Sequence, residues 1–345
     1  MKKHQHIFIK SFIVTIALQM MVHTMLMAQD LHFSQFFSSP LSTNPANTGF
    51  IPDADYRLGM HVRKQYSNIM AIPYKTFSAF GDVQILNNTI NNGWMGLGML
   101  LLSDVAGAGN LSSNKIYASI AYHQMLGNSS LLSAGFNLGW ANKSINTNNL
   151  KFPDQFDGDF FDNTLPTSVV LLNNSVHYFD VQAGLNYAYF PTEDIYINGG
   201  YSIHHVNNPK ETFFSTNTSS DIIPMRHIGF LNAIVKLNDK VIVKPNLFFT
   251  TQARATNFML GSIFNYNLFE NGEKQLIAGL YYRWNDGIVP MAGLQWKEFE
   301  CIFSYDITLS DLKRYNYGNG AAECSIIKKG FLPSSQPRQS LCPKF

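Results

Sequence analysis

Between residues 176 and 189 apolar and small polar side chains alternate. Phe179, Val181, Ala183, Leu185, Tyr187 and Tyr189 share one parity, and Asp180, Gln182, Gly184 and Asn186 the other. Residues 276–285 repeat the pattern, setting Leu276, Ala278, Leu280, Tyr282 and Trp284 against Gly279, Arg283 and Asn285. Successive side chains of a strand point to opposite faces, so each segment predicts a strand with a wide apolar side and a small-polar side. Lipid suits the first side and a lumen the second.

Similar candidates follow near 54–66, 75–87, 93–105, 110–125, 130–142, 176–190, 194–206, 225–237, 240–252, 257–268, 274–285, 288–297, 298–308 and 320–328, with no helical stretch between them. They amount to about fourteen strands, an even number as bacterial single-chain barrels have. The connections sort by parity. Long ones at 143–175, 207–224 and 309–319 follow odd strands, whereas 88–92, 126–129, 191–193, 238–239 and 269–272 follow even strands and are short. Outer-membrane barrels have short periplasmic turns and long external loops. The expected fold is therefore an all-β, antiparallel transmembrane barrel at 53–328, with both termini in the periplasm.

Composition sharpens this reading. Charged residues make up 14% and aromatics 14%, against roughly 25% charged in ordinary soluble domains. Mean hydropathy is only −0.06, and past the N-terminus no stretch approaches the roughly 20 apolar residues of a membrane helix. A membrane protein built without such helices must close its strands into a barrel, because lipid satisfies no backbone group. Residues 1–28 have the basic start (Lys2, Lys3, Lys10), apolar centre and small terminal Ala28 of a signal peptide. Its removal takes three lysines and leaves 22 Lys+Arg against 23 Asp+Glu. No basic surplus then remains to attract nucleic acid. Residues 29–52 are Pro- and Asn-rich and are expected to pack at the periplasmic mouth or plug it, while 329–345 form a periplasmic tail. Cys301, Cys324 and Cys342 match neither a zinc site nor a disulfide framework.

Few residues suggest chemistry. Adjacent His204 and His205 face opposite sides of a strand and are read as rim residues. Asp154, Asp157, Asp159 and Asp162 lack calcium-loop spacing, and no catalytic, cofactor or metal set is expected. Arg57, His61 and Arg63 share the inner parity of the first strand. Charge inside a barrel must be paired or wet, so Asp82 and Asp180 are proposed as partners in a lumen-filling network, with a substrate path as the alternative. Phe152, Phe156, Phe160, Phe161, Phe213 and Phe214 lie in the long loops and are candidate anchors for a partner, as aromatics commonly are.

Several blocks resemble a known family. Phe33-Ser34-Gln35-Phe36, then Asn44-Pro45-Ala46 with Gly49, resembles the mature start of the PorP/SprF outer-membrane proteins of Bacteroidetes. Tyr56-Arg57, Arg63-Lys64-Gln65-Tyr66, Gly96-Leu97-Gly98, Ser103-Asp104, Gly107-Ala108-Gly109, Lys151-Phe152-Pro153-Asp154-Gln155 and Gly320-Ala321-Ala322-Glu323 extend the likeness along the chain. Tyr66 departs from the family's usual Trp. The resemblance implies a barrel of the type IX secretion or gliding machinery. Such a barrel would bind lipid, periplasmic type IX components, and a secreted adhesin or the C-terminal sorting domain of a cargo. A channel for small solutes or hydrophobic compounds is the runner-up, and an outer-membrane hydrolase the third reading.

Overall fold

The computed structural model describes residues 32–333 apart from loop positions 71, 88, 108, 147–149, 151, 157, 163, 170–172, 214–221 and 270–271. The strands are β1 (Tyr56–Gln65), β2 (Tyr74–Ile85), β3 (Gly93–Ala106), β4 (Leu111–Met125), β5 (Ser130–Ser144), β6 (Ser175–Thr192) and β7 (Ile195–His204). β8 (Arg226–Lys236), β9 (Val241–Gln252), β10 (Ala255–Asn267), β11 (Lys274–Arg283), β12 (Gly287–Trp296), β13 (Phe299–Thr308) and β14 (Asn319–Gly330) complete the set. Each strand pairs with the next and β14 pairs back onto β1, so the sheet is a closed fourteen-stranded antiparallel barrel. The closing register runs from Tyr56 opposite Gly330 to Gln65 opposite Ala321. Closure matters because an open edge would leave backbone groups facing hydrocarbon.

The outer face follows the alternation. Leu58, Met60 and Val62 on β1, Phe136, Leu138 and Trp140 on β5, and Leu276, Leu280 and Tyr282 on β11 are exposed, where lipid covers them. Their neighbours Arg63, Asn137 and Arg283 are buried inside. Cys301 and Cys324 are free thiols on the outward parity of β13 and β14, and Cys342 lies outside the described residues.

The inner face departs from the small-polar expectation. Phe230, Phe248, Ile263, Ile277, Tyr281 and Ile302 point inward and cluster with Phe36. On β11 this places apolar residues on both faces, so Leu276-Ile277-Ala278 loses its alternation there. The cause is an occupant: the N-terminal segment lies in the lumen and brings its own aromatic rings. Residues 1–31, including the expected signal peptide, and 334–345 lie outside the described residues.

Candidate functional site

Residues 32–55 run down the lumen from the long-loop end of the strands to the start of β1. The segment folds as short turns, 3-10 at Phe36–Ser38 and Pro45–Asn47 and α-helical at Pro40–Thr43. Pro40 and Pro45 each occupy a first helical position, where the missing N–H costs nothing. Irregular backbone at membrane depth must find partners in the protein. Asn44 supplies two: its Oδ1 accepts the Ala46 N–H at 2.9 Å, and its Nδ2 donates to the Leu185 carbonyl at 2.9 Å.

At the long-loop end the segment is held by charge. The Ser34 and Gln35 N–H groups donate to the Glu323 carboxylate at 2.8 and 3.0 Å. Ser34 Oγ donates to Asp306 at 2.9 Å and accepts from Arg63 at 2.9 Å. Arg63 pairs with Glu323 and, at 3.1 Å, with Asp306; Arg283 reaches Asp306 at 3.1 Å and also donates to Ser34 Oγ. His61 Nε2 lies 3.2 Å from Glu323, and its ring stacks on Phe33 at 4.0 Å. The Gln35 amide closes the cluster, donating to Ser304 Oγ at 2.9 Å and accepting from Ser325 Oγ at 2.6 Å. Buried charges persist only when paired and hydrogen-bonded, and here two arginines meet two carboxylates with the segment's backbone among them.

At the short-turn end Arg57 pairs with Asp82 at 2.7 Å, and Asp82 also accepts the Gly49 N–H at 2.8 Å. Trp94 Nε1 donates to the Gly49 carbonyl at 2.9 Å, and His123 Nε2 lies 2.8 Å from the Thr48 carbonyl. Gly49 has φ +68°, a left-handed conformation that glycine adopts freely. Gly96 on β3 lies so close under the Thr48 carbonyl that a β-carbon would overlap it.

Arg57 and Asp82 thus meet as expected, and His61 and Arg63 share one cluster. Asp180 does not reach the arginines: it accepts from Tyr117 at 2.6 Å and lies 2.9 Å from His205 Nδ1. The acids that do reach Arg63 are Glu323 and Asp306. Glu323 stands opposite Arg63 in the β1–β14 register, a pairing visible only once the barrel closes. His204 and His205 stand at the end of β7 as expected, but both are buried, and His205 has φ +59°. Among the family-motif residues, Phe33, Ser34, Gln35, Asn44, Pro45, Ala46 and Gly49 are all buried in the segment. Asp104 instead accepts from Thr76 at 2.6 Å, and Gly107, with φ +64°, and Gly109 form the β3–β4 turn.

The long loops meet above this end of the barrel. Lys143 at the end of β5 pairs with Glu211, and the Asn173 N–H donates to the Phe213 carbonyl at 3.4 Å, tying the connection before β6 to the one after β7. Phe156 and Phe161 form a tilted ring pair at 5.1 Å, and Phe160 is 75% exposed. Phe152 and Phe213 are half-buried, and Phe214 lies outside the described residues. Tyr315 and Tyr317, on the connection after β13, are also strongly exposed, although no alternation or motif marks them in sequence. Among the described residues no group of His, Cys, Asp and Glu is arranged to hold a metal.

A closed, lipid-faced barrel with a folded segment in its lumen defines a plugged outer-membrane β-barrel. Over residues 26–325 the sequence matches the family described as Type IX secretion system membrane protein PorP/SprF, and the chain belongs to that family. It is a type IX secretion protein of the outer membrane. Comparison with curated proteins gives no match. Among solved structures it is similar to the toluene transporter TbuX of Ralstonia pickettii, with TM-score 0.51 and 11% identity over 85% of this chain and 94% of that one. The P. putida toluene transporter TodX gives TM-score 0.51 and 12% identity over 86% and 95%. At such identity the likeness is one of fold alone.

Proposed function

We propose that this barrel is a non-enzymatic interaction protein, supporting secretion or surface attachment of a partner adhesin or the C-terminal domain of a cargo. In this reading residues 1–28 are a leader, the long loops face outward, and the short turns and the tail after β14 face the periplasmic type IX components. The observation that carries it is the set of exposed rings at Phe156, Phe160 and Phe161 on a loop whose described residues are hydrogen-bonded to one another. The Ser168 backbone N–H and hydroxyl donate to Asp154 at 2.6 and 2.8 Å, and these bonds hold its carboxyl below the ordinary range. Gln155 is buried and donates to the Leu165 carbonyl at 2.9 Å. The rings are therefore presented by a folded loop, which lowers the ordering cost of binding a partner. A solute channel, the alternative, would require the luminal segment to move.

Replacing both Phe160 and Phe161 by Ser should leave the heat-modifiable gel mobility of a folded barrel unchanged while cargo display at the cell surface falls. Full display by the folded variant would remove this loop from the mechanism. An epitope inserted after Thr164 should be reachable on intact cells and one after Asn238 should not; the reverse would invert the orientation.

A further inference from the structure

Beneath the luminal segment a cavity of about 270 Å³ opens on the short-turn half of the barrel, on the side of β7–β14. Phe36 and Phe37 roof it, and Ile263, Ile277 and Ile302 supply an apolar wall. Two rows of polar side chains cross the same wall. Asn198, Asn232 and Asn246 are direct neighbours on β7, β8 and β9, and Gln275, Gln295 and Glu300 are neighbours on β11, β12 and β13.

The polar groups are incompletely used. Of the charged groups lining the space, Arg57 is paired with Asp82 and Lys329 with Asp53 at 2.9 Å. The side chains of Lys244 and Glu300 make no hydrogen bond or ion pair among the described residues.

The lining selects its occupant. A bare hydrocarbon would leave the Lys244 and Glu300 side chains desolvated without a partner, which is costly for a charge. A sugar would set hydroxyls against isoleucine. A simple anion would find Lys244 but also Glu300. A polypeptide meets every demand, with N–H donors for Glu300, carbonyl acceptors for Lys244, and an apolar side chain for the isoleucine wall. We propose that this vestibule binds a short extended peptide segment of a partner protein, entering from the short-turn end. The proposal rests on the reading of the protein as an interaction component, but it concerns the end of the barrel opposite Phe160, so the two experiments fail separately.

The test uses the full-length barrel in detergent micelles and saturation-transfer NMR, with acetyl-Ala-Leu-Ala-amide, toluene and maltose as probes. The peptide should receive saturation at its leucine methyls, and Ile277→Trp, which fills the cavity, should abolish it. Lys244→Met should weaken binding about fivefold, as loss of one hydrogen bond implies, and it keeps the test decisive if the tryptophan variant fails to fold. A peptide signal unchanged in both folded variants overturns the site. A toluene or maltose signal abolished by Ile277→Trp, with none from the peptide, overturns the ligand class. Peptide binding seen only after deletion of 334–345 overturns the partner, assigning the cavity to the chain's own tail.

Discussion

The luminal segment meets one side of the barrel wall with its main chain and the other with the rings of Phe36 and Phe37. Against β3 and β5 its backbone comes down directly onto Gly96 and Gly135, and on β6 the Asn44 side chain sits on Gly184, so a β-carbon at any of the three would collide with Thr48, Pro45 or Asn44. Against β8–β13 the wall carries Phe230, Ile263, Ile277 and the polar rows, and a cavity remains. Gly279 on that side has room, since an added β-carbon would meet its neighbours at 3.4 Å, an ordinary contact. The difference shows that the plug is seated by close backbone approach on one side and fastened by hydrogen bonds at its two ends. Its other flank contributes packing but not position.

The contrast breaks most readily at the charged end. Glu323→Gln removes the carboxylate that accepts two backbone N–H groups and pairs with Arg63. Breaking one partner of a buried pair costs about 3–5 kcal/mol. Urea unfolding in lipid should show that loss, and chymotrypsin should gain access to Phe36 and Phe37; an inaccessible segment would mean that the glycine seats alone hold it. Leu280→Arg, on the lipid side of β11 where Leu280 is 57% exposed, should cost about 2–4 kcal/mol near the bilayer midplane. An equal loss in Gly279→Ser, one residue away on the inner face, would show the two faces misassigned.

Gly96→Ala should cost about 1–3 kcal/mol through overpacking, whereas Gly279→Ser should cost well under about 1 kcal/mol. Comparable melting shifts would erase the distinction between the two walls. The smallest effect is at Asp53, just before β1. Burial opposes its ionisation, but Lys329 at 2.9 Å prevails and holds the carboxyl below its ordinary value. A depressed folded pKa gives stability that is present above about pH 4 and lost as pH falls through the folded value. Asp53→Asn should therefore flatten the acid limb of the stability curve slightly, and an unchanged limb would mean that the pair contributes nothing.

Much of the barrel was legible because lipid imposes period-two alternation on every strand. Thus Phe179 to Tyr189 declare their face without reference to any neighbour. Arg57 and Asp82 could also be matched, since they lie across a single hairpin. Arg63 could not be matched, because Glu323 is 260 residues away and becomes its neighbour only when the last strand pairs with the first. The inward Ile277 and Tyr281 were hidden for a different reason. Period-two reading assumes a wet lumen, and these residues face Phe36 and Phe37 instead.

The sequence by itself determined the strands, which side of each meets lipid, and that long and short connections gather at opposite ends, because each of these is set by local alternation or by chain length between strands. Tertiary structure decided that residues 32–55 fill the lumen rather than pack at its mouth, that Glu323 and Asp306 receive Ser34, Arg63 and Arg283, and that a cavity remains beside one flank of the plug. Those outcomes depend on which side chains a closed ring of fourteen strands brings to the same height, and no local pattern carries that information.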